Sequence, residues 1–289
     1  MTSPTHKTDV LIVGAGLAGL SAANDLQNAG YTVLVVDKGR GLGGRLAGRR
    51  IDNASFDHGA QFMTTRDPKF VEQVRQWIED GVAEEWYSSF PGQVNSHARY
   101  RGVPTMTAIA KHLAMDLTVK LATTVESIQV HSDGWLSQLD NGTSIQSRSL
   151  VITSPVPQTL DLLSTGNVRL PQDKHDRLSR ISYESCISVM AVLDKPSAIK
   201  PPGAMVIDSG PIAWISDNQQ KGVSALPAVT IHGSGDFSAK HFEDDRDEVA
   251  RRLIDSASPY LGAKVVDFQV HGWRYSCLLY TSPSPRDEV

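Results

Sequence analysis

The run Val10-Leu11-Ile12-Val13-Gly14-Ala15-Gly16-Leu17-Ala18-Gly19-Leu20 starts as four apolar residues and then breaks into a triplet of glycines. The apolar part reads as a short buried parallel strand. Leu17, Leu20, Ala23 and Leu26 then recur at helical spacing, and Gly30 predicts the stop. Thr32–Val36 is a second apolar run, so the segment reads as one βαβ unit. In that setting each glycine has a physical reason. Gly14 permits the tight turn, Gly16 lets backbone N–H groups approach a pyrophosphate, and Gly19 lets the helix lie close on the strand. Ala18 belongs to the same first helical turn, whose N-terminus adds partial positive charge. Asp37 ends the second strand, placed to accept hydrogen bonds from ribose hydroxyls and to repel a 2′-phosphate.

A second glycine cluster follows at once, Lys38-Gly39-Arg40-Gly41-Leu42-Gly43-Gly44-Arg45. A simple nicotinamide-dinucleotide domain has no need of it. Gly43 and Gly44 let backbone lie against a cofactor that continues past its pyrophosphate, and Arg45 offers a cation. Lys38 stands beside the ribose-binding position. Phe56-Asp57-His58-Gly59-Ala60-Gln61-Phe62 then brackets a glycine with strand-like residues, as where a ligand meets backbone. Ala60 and Gln61 are the candidates there, since an amide side chain can both donate and accept along a ring edge. Asp57 and His58 read as satisfied structural groups.

Composition bounds the rest. The chain has 289 residues, 40% hydrophobic and 21% charged, ordinary values for a folded protein of about two domains. A net charge of −4 gives no electrostatic footprint for nucleic acid or an anionic membrane. No apolar run reaches the length of a membrane span, and no secretory leader is visible, so a soluble, cytoplasmic protein is expected. Cys186 and Cys277 fit no metal or redox spacing, Cys186 reading as a small core residue. No metal site is expected.

Asp67-Pro68 predicts a helix start, with Phe70, Val71, Val74, Trp77 and Ile78 on its apolar face and Gly81 at its end. Gly92–Arg101 reads as polar loop and Thr105–Met115 as helix. Strands are predicted at 117–121, 124–130, 134–139 and 149–153, with an Asn141-Gly142 hairpin turn. Pro155 and Pro157 close the last of them. Further strands are predicted at 185–193, 205–207, 212–215, 228–232 and 266–270, and an amphipathic helix over 244–256.

These segments together resemble a family. Val-Gly-Ala-Gly-Leu-Ala-Gly at 13–19, Asp-Lys-Gly-Arg-Gly-Leu-Gly-Gly-Arg at 37–45 and Asp-His-Gly-Ala-Gln-Phe-Met at 57–63 resemble FAD-dependent oxidoreductases of the amine-oxidase superfamily. Within it the chain is most similar to the short renalase-like branch. Arg101–Ala108, Val125–Ile128, Val151–Gln158, Ser216–Lys221 and His271–Tyr275 extend the likeness more diffusely. The resemblance implies an α/β fold, a Rossmann-like FAD-binding domain with an inserted mixed α+β substrate domain. It implies residues 1–62 and 101–160 for the first, and 63–100 and 161–276 for the second. It also implies that the backbone of Val125 holds adenine.

The implied reaction takes a hydride from a dihydronicotinamide-type molecule to flavin N5 and passes the electrons to oxygen. Such a ring expels hydride without a general base, and no Ser/His/Asp, Cys/His or paired-carboxylate constellation is evident, so no catalytic residue is assigned. Two alternatives stay open. One is an amine oxidase or desaturase of the same superfamily, with Trp214, Trp273 and Tyr275 as aromatic walls. The other is a non-catalytic nucleotide-binding fragment. His232 and His271 are candidates to face the substrate, though a structural role is the plainer reading. Thr105 stands where the family usually has Gly. Gln220-Lys221-Gly222 stands where bacterial relatives often carry Ser-Lys-Pro, and Lys221 reads as an exposed lysine.

The end of the chain departs from the family. Its members return to the first domain through a Gly-Asp strand and a glycine-containing helix, whereas Cys277–Val289 has no glycine and repeats Ser-Pro. Residues 277–289 resemble translated sequencing adapter, so a truncation near Ser276 is expected, with weak FAD binding or aggregation of the chain as written.

Overall fold

The computed structural model describes residues 6–89 and 97–279. In chain order the elements begin with strand β1 (His6–Val13), helix α1 (Leu17–Asn28) and β2 (Val33–Val36). Next come β3 (Gly48–Ile51), β4 (Ala54–Asp57), β5 (Met63–Thr64), α2 (Pro68–Glu79), β6 (Ala83–Tyr87), β7 (Arg99–Gly102) and α3 (Thr107–Leu113). Then follow β8 (Val119–Lys120), β9 (Val125–His131), β10 (Gly134–Leu139), β11 (Ser144–Ile152), α4 (Val156–Thr165) and α5 (Gln172–Ser179). The chain continues through β12 (Ser182–Leu193), β13 (Ala204–Val206), β14 (Ile212–Asp217) and β15 (Ala228–Gly233). It closes with α6 (Gly235–Lys240), α7 (Arg246–Leu261) and β16 (Val265–Leu279).

Two compact units divide these elements, residues 1–44, 110–182 and 278–289 in the first, 45–109 and 183–277 in the second. The first unit holds a six-stranded sheet in the order β8-β2-β1-β11-β10-β9. Its β8, β2, β1 and β11 run parallel, while β10 and β9 add an antiparallel meander. The four residues of β2 are all buried, as a strand covered on both faces requires. One face packs Val10, Ile12, Val33 and Val35 against Leu20 and Ala23 of α1. The other packs Leu11, Leu34 and Val36 against Ile128, Leu139 and Ile145. The expected Asn141-Gly142 turn joins β10 to β11, with Gly142 at φ +78°.

The second unit has a five-stranded sheet, β13-β14-β15-β12-β16, and a smaller one, β5-β7-β6. Its core places Ile187, Val189, Ile215, Val229 and Ile231 under Val249, Leu253 and Ala257 of α7. Asp245 caps α7 by accepting from Asp247 N–H and Glu248 N–H, and Gly262 ends it at φ +58°. Asp67 caps α2 in the same way, through Lys69 N–H and Phe70 N–H.

Some readings are corrected. The segment expected as loop to Arg101 contains β7, paired with β5 and β6, and 92–96 lies outside the described residues. Pro155 follows the end of β11 at Ile152, as expected, but the chain turns at once into α4, a helix that the prolines hide. Its first turn takes Pro157 without losing a helical hydrogen bond. On α2 only Val74 and Trp77 are buried, while Val71 and Ile78 stay exposed. Cys277–Leu279 continues β16, and the remainder of the expected tail, 280–289, lies outside the described residues. No helix among the described residues is long and apolar enough to cross a membrane.

Candidate active site

The glycine turn of the first unit is built as its sequence demands. Gly14 sits at φ +114°, and a Cβ there would stand 2.4 Å from Thr153 Oγ1. A Cβ on Gly19 would stand 2.0 Å from the Gly14 carbonyl oxygen, so only glycine lets α1 approach β1 this closely. Gly16 is the N-cap of α1 and supplies no side-chain cap, which leaves the first N–H groups of the helix open to an anion. Ala18 is exposed on that first turn.

The second cluster folds back onto the first. Gly43 N–H donates to the Ala15 carbonyl at 2.9 Å, and Gly16 bridges Gly43. A Cβ on Gly44 would stand 3.5 Å from Gly16 Cα. Bare backbone therefore faces bare backbone. Asp37 is held in place by accepting from Ala15 N–H and Gly39 N–H, each at 2.6 Å. Each carboxylate oxygen keeps a further lone pair for a hydroxyl donor. Thr123 N–H donates to the Asp37 carbonyl, tying it to the segment that leads into Val125, at the start of edge strand β9. Lys38 Nζ reaches Gln158 Oε1 at 3.4 Å. The fold thus brings Gly14, Gly16, Gly19, Asp37, Gly43, Gly44 and Val125 together. Capless helix N-terminus, side-chain-free cradle and oriented carboxylate fit a dinucleotide such as FAD.

Arg45, Ala60 and Gln61 belong to the second unit, where they line a cavity of about 490 Å³. Phe62, Trp214, His232 and Trp273 form its aromatic walls, with Cys186 beside them. Arg45 Nη1 donates to the Ser276 carbonyl at 3.0 Å, so its exposed guanidinium has a fixed base. The Gln61 side chain does not present a free edge to a ring. Its Nε2 donates to the carbonyls of Asp57 and Gly59, and its Oε1 accepts from Ser216 Oγ at 2.7 Å.

Underneath lies a group the sequence did not reveal. Lys221, expected at the surface, is fully buried and donates to Asp57 Oδ2 at 2.9 Å. Its Nζ also stands 4.7 Å from the Trp86 ring centre. Asp57 Oδ1 accepts from Met106 N–H at 2.9 Å, and the Asp57 carbonyl accepts from Thr230 Oγ1. Asp57 and Lys221 are thus the pinned root from which Gly59–Phe62 runs into the cavity. Burial lowers the Lys221 pKa, while the Asp57 charge and hydrogen bond oppose that shift. The signal available was Asp57 itself, a carboxylate next to Phe56 in an apolar strand, which needs a buried cation.

The histidines cluster around the same cavity. His58 contacts the His271 ring edge-on at 5.1 Å and the Trp273 ring at 5.0 Å. The His58 carbonyl accepts from Trp273 Nε1 at 2.9 Å and receives His232 Nε2 at 3.2 Å. Burial pushes His58 down to about 3 and His232 to about 4. His271 is lowered as well, by burial and then by Arg49 and Arg246. Burial also raises the Cys186 thiol to about 12. Near neutral pH the cavity wall therefore offers neutral imidazole, a protonated thiol and the Arg45 cation, and no carboxylate side chain among the described residues. Tyr275 packs edge-on against Tyr183.

Comparison with known proteins agrees with this geometry. Residues 12–77 match the NAD(P)-binding Rossmann-like domain, and residues 92–287 match the flavin containing amine oxidoreductase family. Renalase from Mus musculus is 25% identical over an alignment covering 92% of this chain and 84% of the mouse protein. An L-amino acid dehydrogenase from a Synechocystis species is 32% identical over 78 residues, covering 27% of this chain and 17% of that protein. A solved structure of a putrescine oxidase variant superposes with a TM-score of 0.75 at 17% identity, covering 95% of this chain and 87% of that one. That last likeness speaks for the fold.

Proposed function

Because this chain belongs to the flavin containing amine oxidoreductase family, whose cofactor is FAD, we propose that it oxidises a dihydronicotinamide-type small molecule. One observation carries the reading: among the described residues the cavity of the second unit has aromatic walls and no side chain suited to removing a proton. His232 is too weak a base at about 4, and Cys186, at about 12, stays protonated. A dihydropyridine matches such walls, because its own ring nitrogen drives hydride off carbon and no base is required. FAD, when bound, would supply the two-electron acceptor, with oxygen as the terminal oxidant.

The protein's share is orientation. Phe62, Trp214 and Trp273 line the cavity with aromatic side chains, and the Asp57–Lys221 root fixes the Gly59–Phe62 segment beside them. Arg45 favours an anionic substituent, such as a nucleotide phosphate, over an ammonium. Trp214 and Trp273 also favour a second reading, an amine held by ring faces, which the Arg45 charge opposes.

The test is anaerobic reduction of the FAD-reconstituted chain. Bleaching of the flavin by 1-methyl-dihydronicotinamide isomers, with peroxide on admitting air, is expected. Bleaching by putrescine or benzylamine, with none by dihydronicotinamides, would replace the reading with the amine one. No bleaching by either class would leave a nucleotide-binding protein.

A further inference from the structure

We propose that His232 selects the substrate by accepting, through Nδ1, a hydrogen bond from an amide N–H on the ring held in this cavity. This inference rests on the reading just given and deepens it.

The tautomer follows from the partner. His232 Nε2 lies 3.2 Å from the His58 carbonyl oxygen. A carbonyl only accepts, so Nε2 carries the hydrogen. In a neutral imidazole the other nitrogen, Nδ1, is then a lone-pair acceptor. Burial keeps the ring neutral well below neutral pH, with the nearby Lys221 charge acting in the same direction. A flipped ring would aim carbon at the His58 carbonyl and forfeit the bond. That carbonyl is itself held by Trp273 Nε1 at 2.9 Å, so the imidazole docks against a fixed point.

The remaining nitrogen faces a use. The His232 ring lines the cavity, and Nδ1 pairs with no group among the described residues. The other strong polar side chains there cannot substitute for it. Arg45 only donates. Gln61 is engaged at both ends of its amide, and Trp273 Nε1 is committed to His58. An oriented, neutral acceptor in an aromatic cavity discriminates for a ring that carries an N–H donor. A carboxamide is such a substituent, and a carboxylate or a tertiary amide is not.

Two substitutions separate this role from a structural one. His232→Gln places its Nε2 where the imidazole Nε2 was, keeping the donor to His58 and removing the Nδ1 acceptor. His232→Asn does the reverse, its Oδ1 replacing Nδ1. The probes are nicotinamide and N,N-dimethylnicotinamide, which lacks the amide N–H. Dissociation constants are read on the FAD-reconstituted full chain from flavin absorbance and tryptophan fluorescence.

The parent chain should favour nicotinamide by about five- to tenfold, the worth of one net hydrogen bond. His232→Asn should keep that preference, and His232→Gln should bind both probes alike. Equal binding of the two probes by the parent chain, or a preference that survives His232→Gln, would overturn the inference and leave the proposed substrate class standing. Failure of the parent chain to bind either probe would overturn both.

Discussion

Replacing Lys221 by methionine tests the least expected feature of the structure. The side chain is completely buried, and its ammonium meets Asp57 at 2.9 Å. Methionine fills similar volume but leaves the Asp57 carboxylate without its cation. Breaking one partner of a buried pair costs about 3–5 kcal/mol, because the remaining charge stays desolvated. For a protein of this size about 1 kcal/mol moves the midpoint by roughly 2–4 °C, so a fall of about 10 °C is expected. Asp57→Asn should cost less, since burial already lowers the Lys221 pKa and the orphaned amine can shed its proton. The double variant Asp57→Asn with Lys221→Met should recover most of the loss. Its amide oxygen can still accept from Met106 N–H, and no charge is left buried. Thermal and urea unfolding of the four proteins at one fixed FAD concentration completes the cycle. A Lys221→Met loss below about 1 kcal/mol, or a double variant no better than Lys221→Met, would refute the pair as the root of the Gly59–Phe62 segment.

Three further outcomes follow from the same geometry. Gly19→Ala should abolish flavin retention, because its Cβ would collide with the Gly14 carbonyl oxygen at 2.0 Å; the flavin-to-protein absorbance ratio after desalting measures it. Both His58 and His232 have folded pKa values, about 3 and about 4, below the unfolded value near 6.5. Their stability contribution is complete above 6.5 and is lost as pH falls toward those values, by up to about 2–3 kcal/mol per pH unit for the two together. Urea midpoints between pH 7 and 4.5 should show it, and His232→Gln should make the slope shallower. Cys277 is exposed, whereas the Cys186 thiol is held near 12. An alkylating reagent at pH 8 should therefore modify Cys277 quickly and Cys186 only on unfolding, as peptide mass spectrometry would read.

What was legible in the sequence was what sterics dictate locally. Gly14 and Gly19 announce a turn because no side chain fits there, and Asp37 is linked to that turn by accepting from Ala15 N–H. The strands of the six- and five-stranded sheets could be read from alternating or continuous apolar runs, whereas the short β5, β6 and β7 could not. Helices α4 and α5 could not. The first is masked by its own prolines although Val156, Leu160 and Leu163 recur at helical spacing, and the second buries no residue and carries no apolar stripe. The cavity was legible in its parts and not in its arrangement. Gln61 reads as an available amide, yet Ser216, 155 residues away, takes its oxygen. Lys221 reads as a solvated lysine after a polar turn, yet its partner lies 164 residues back.

The same burial explains both the restraint of this cavity and its chemistry. Desolvation is the leading cause lowering His58, His232 and Lys221 and raising Cys186. A proton-abstracting enzyme needs the opposite, a base tuned toward the working pH by partial exposure or a neighbouring carboxylate. Here the one buried carboxylate at the root, Asp57, is committed to Lys221 and to Met106 N–H. The fold has therefore placed Asp57 where it positions backbone, and has put the His232 imidazole, its pKa lowered by burial, in the cavity wall. Such a wall suits a substrate that brings its own electronic push and asks the protein for a fixed, dry, aromatic slot. An amine that must first lose a proton would find no group on these described walls to take it.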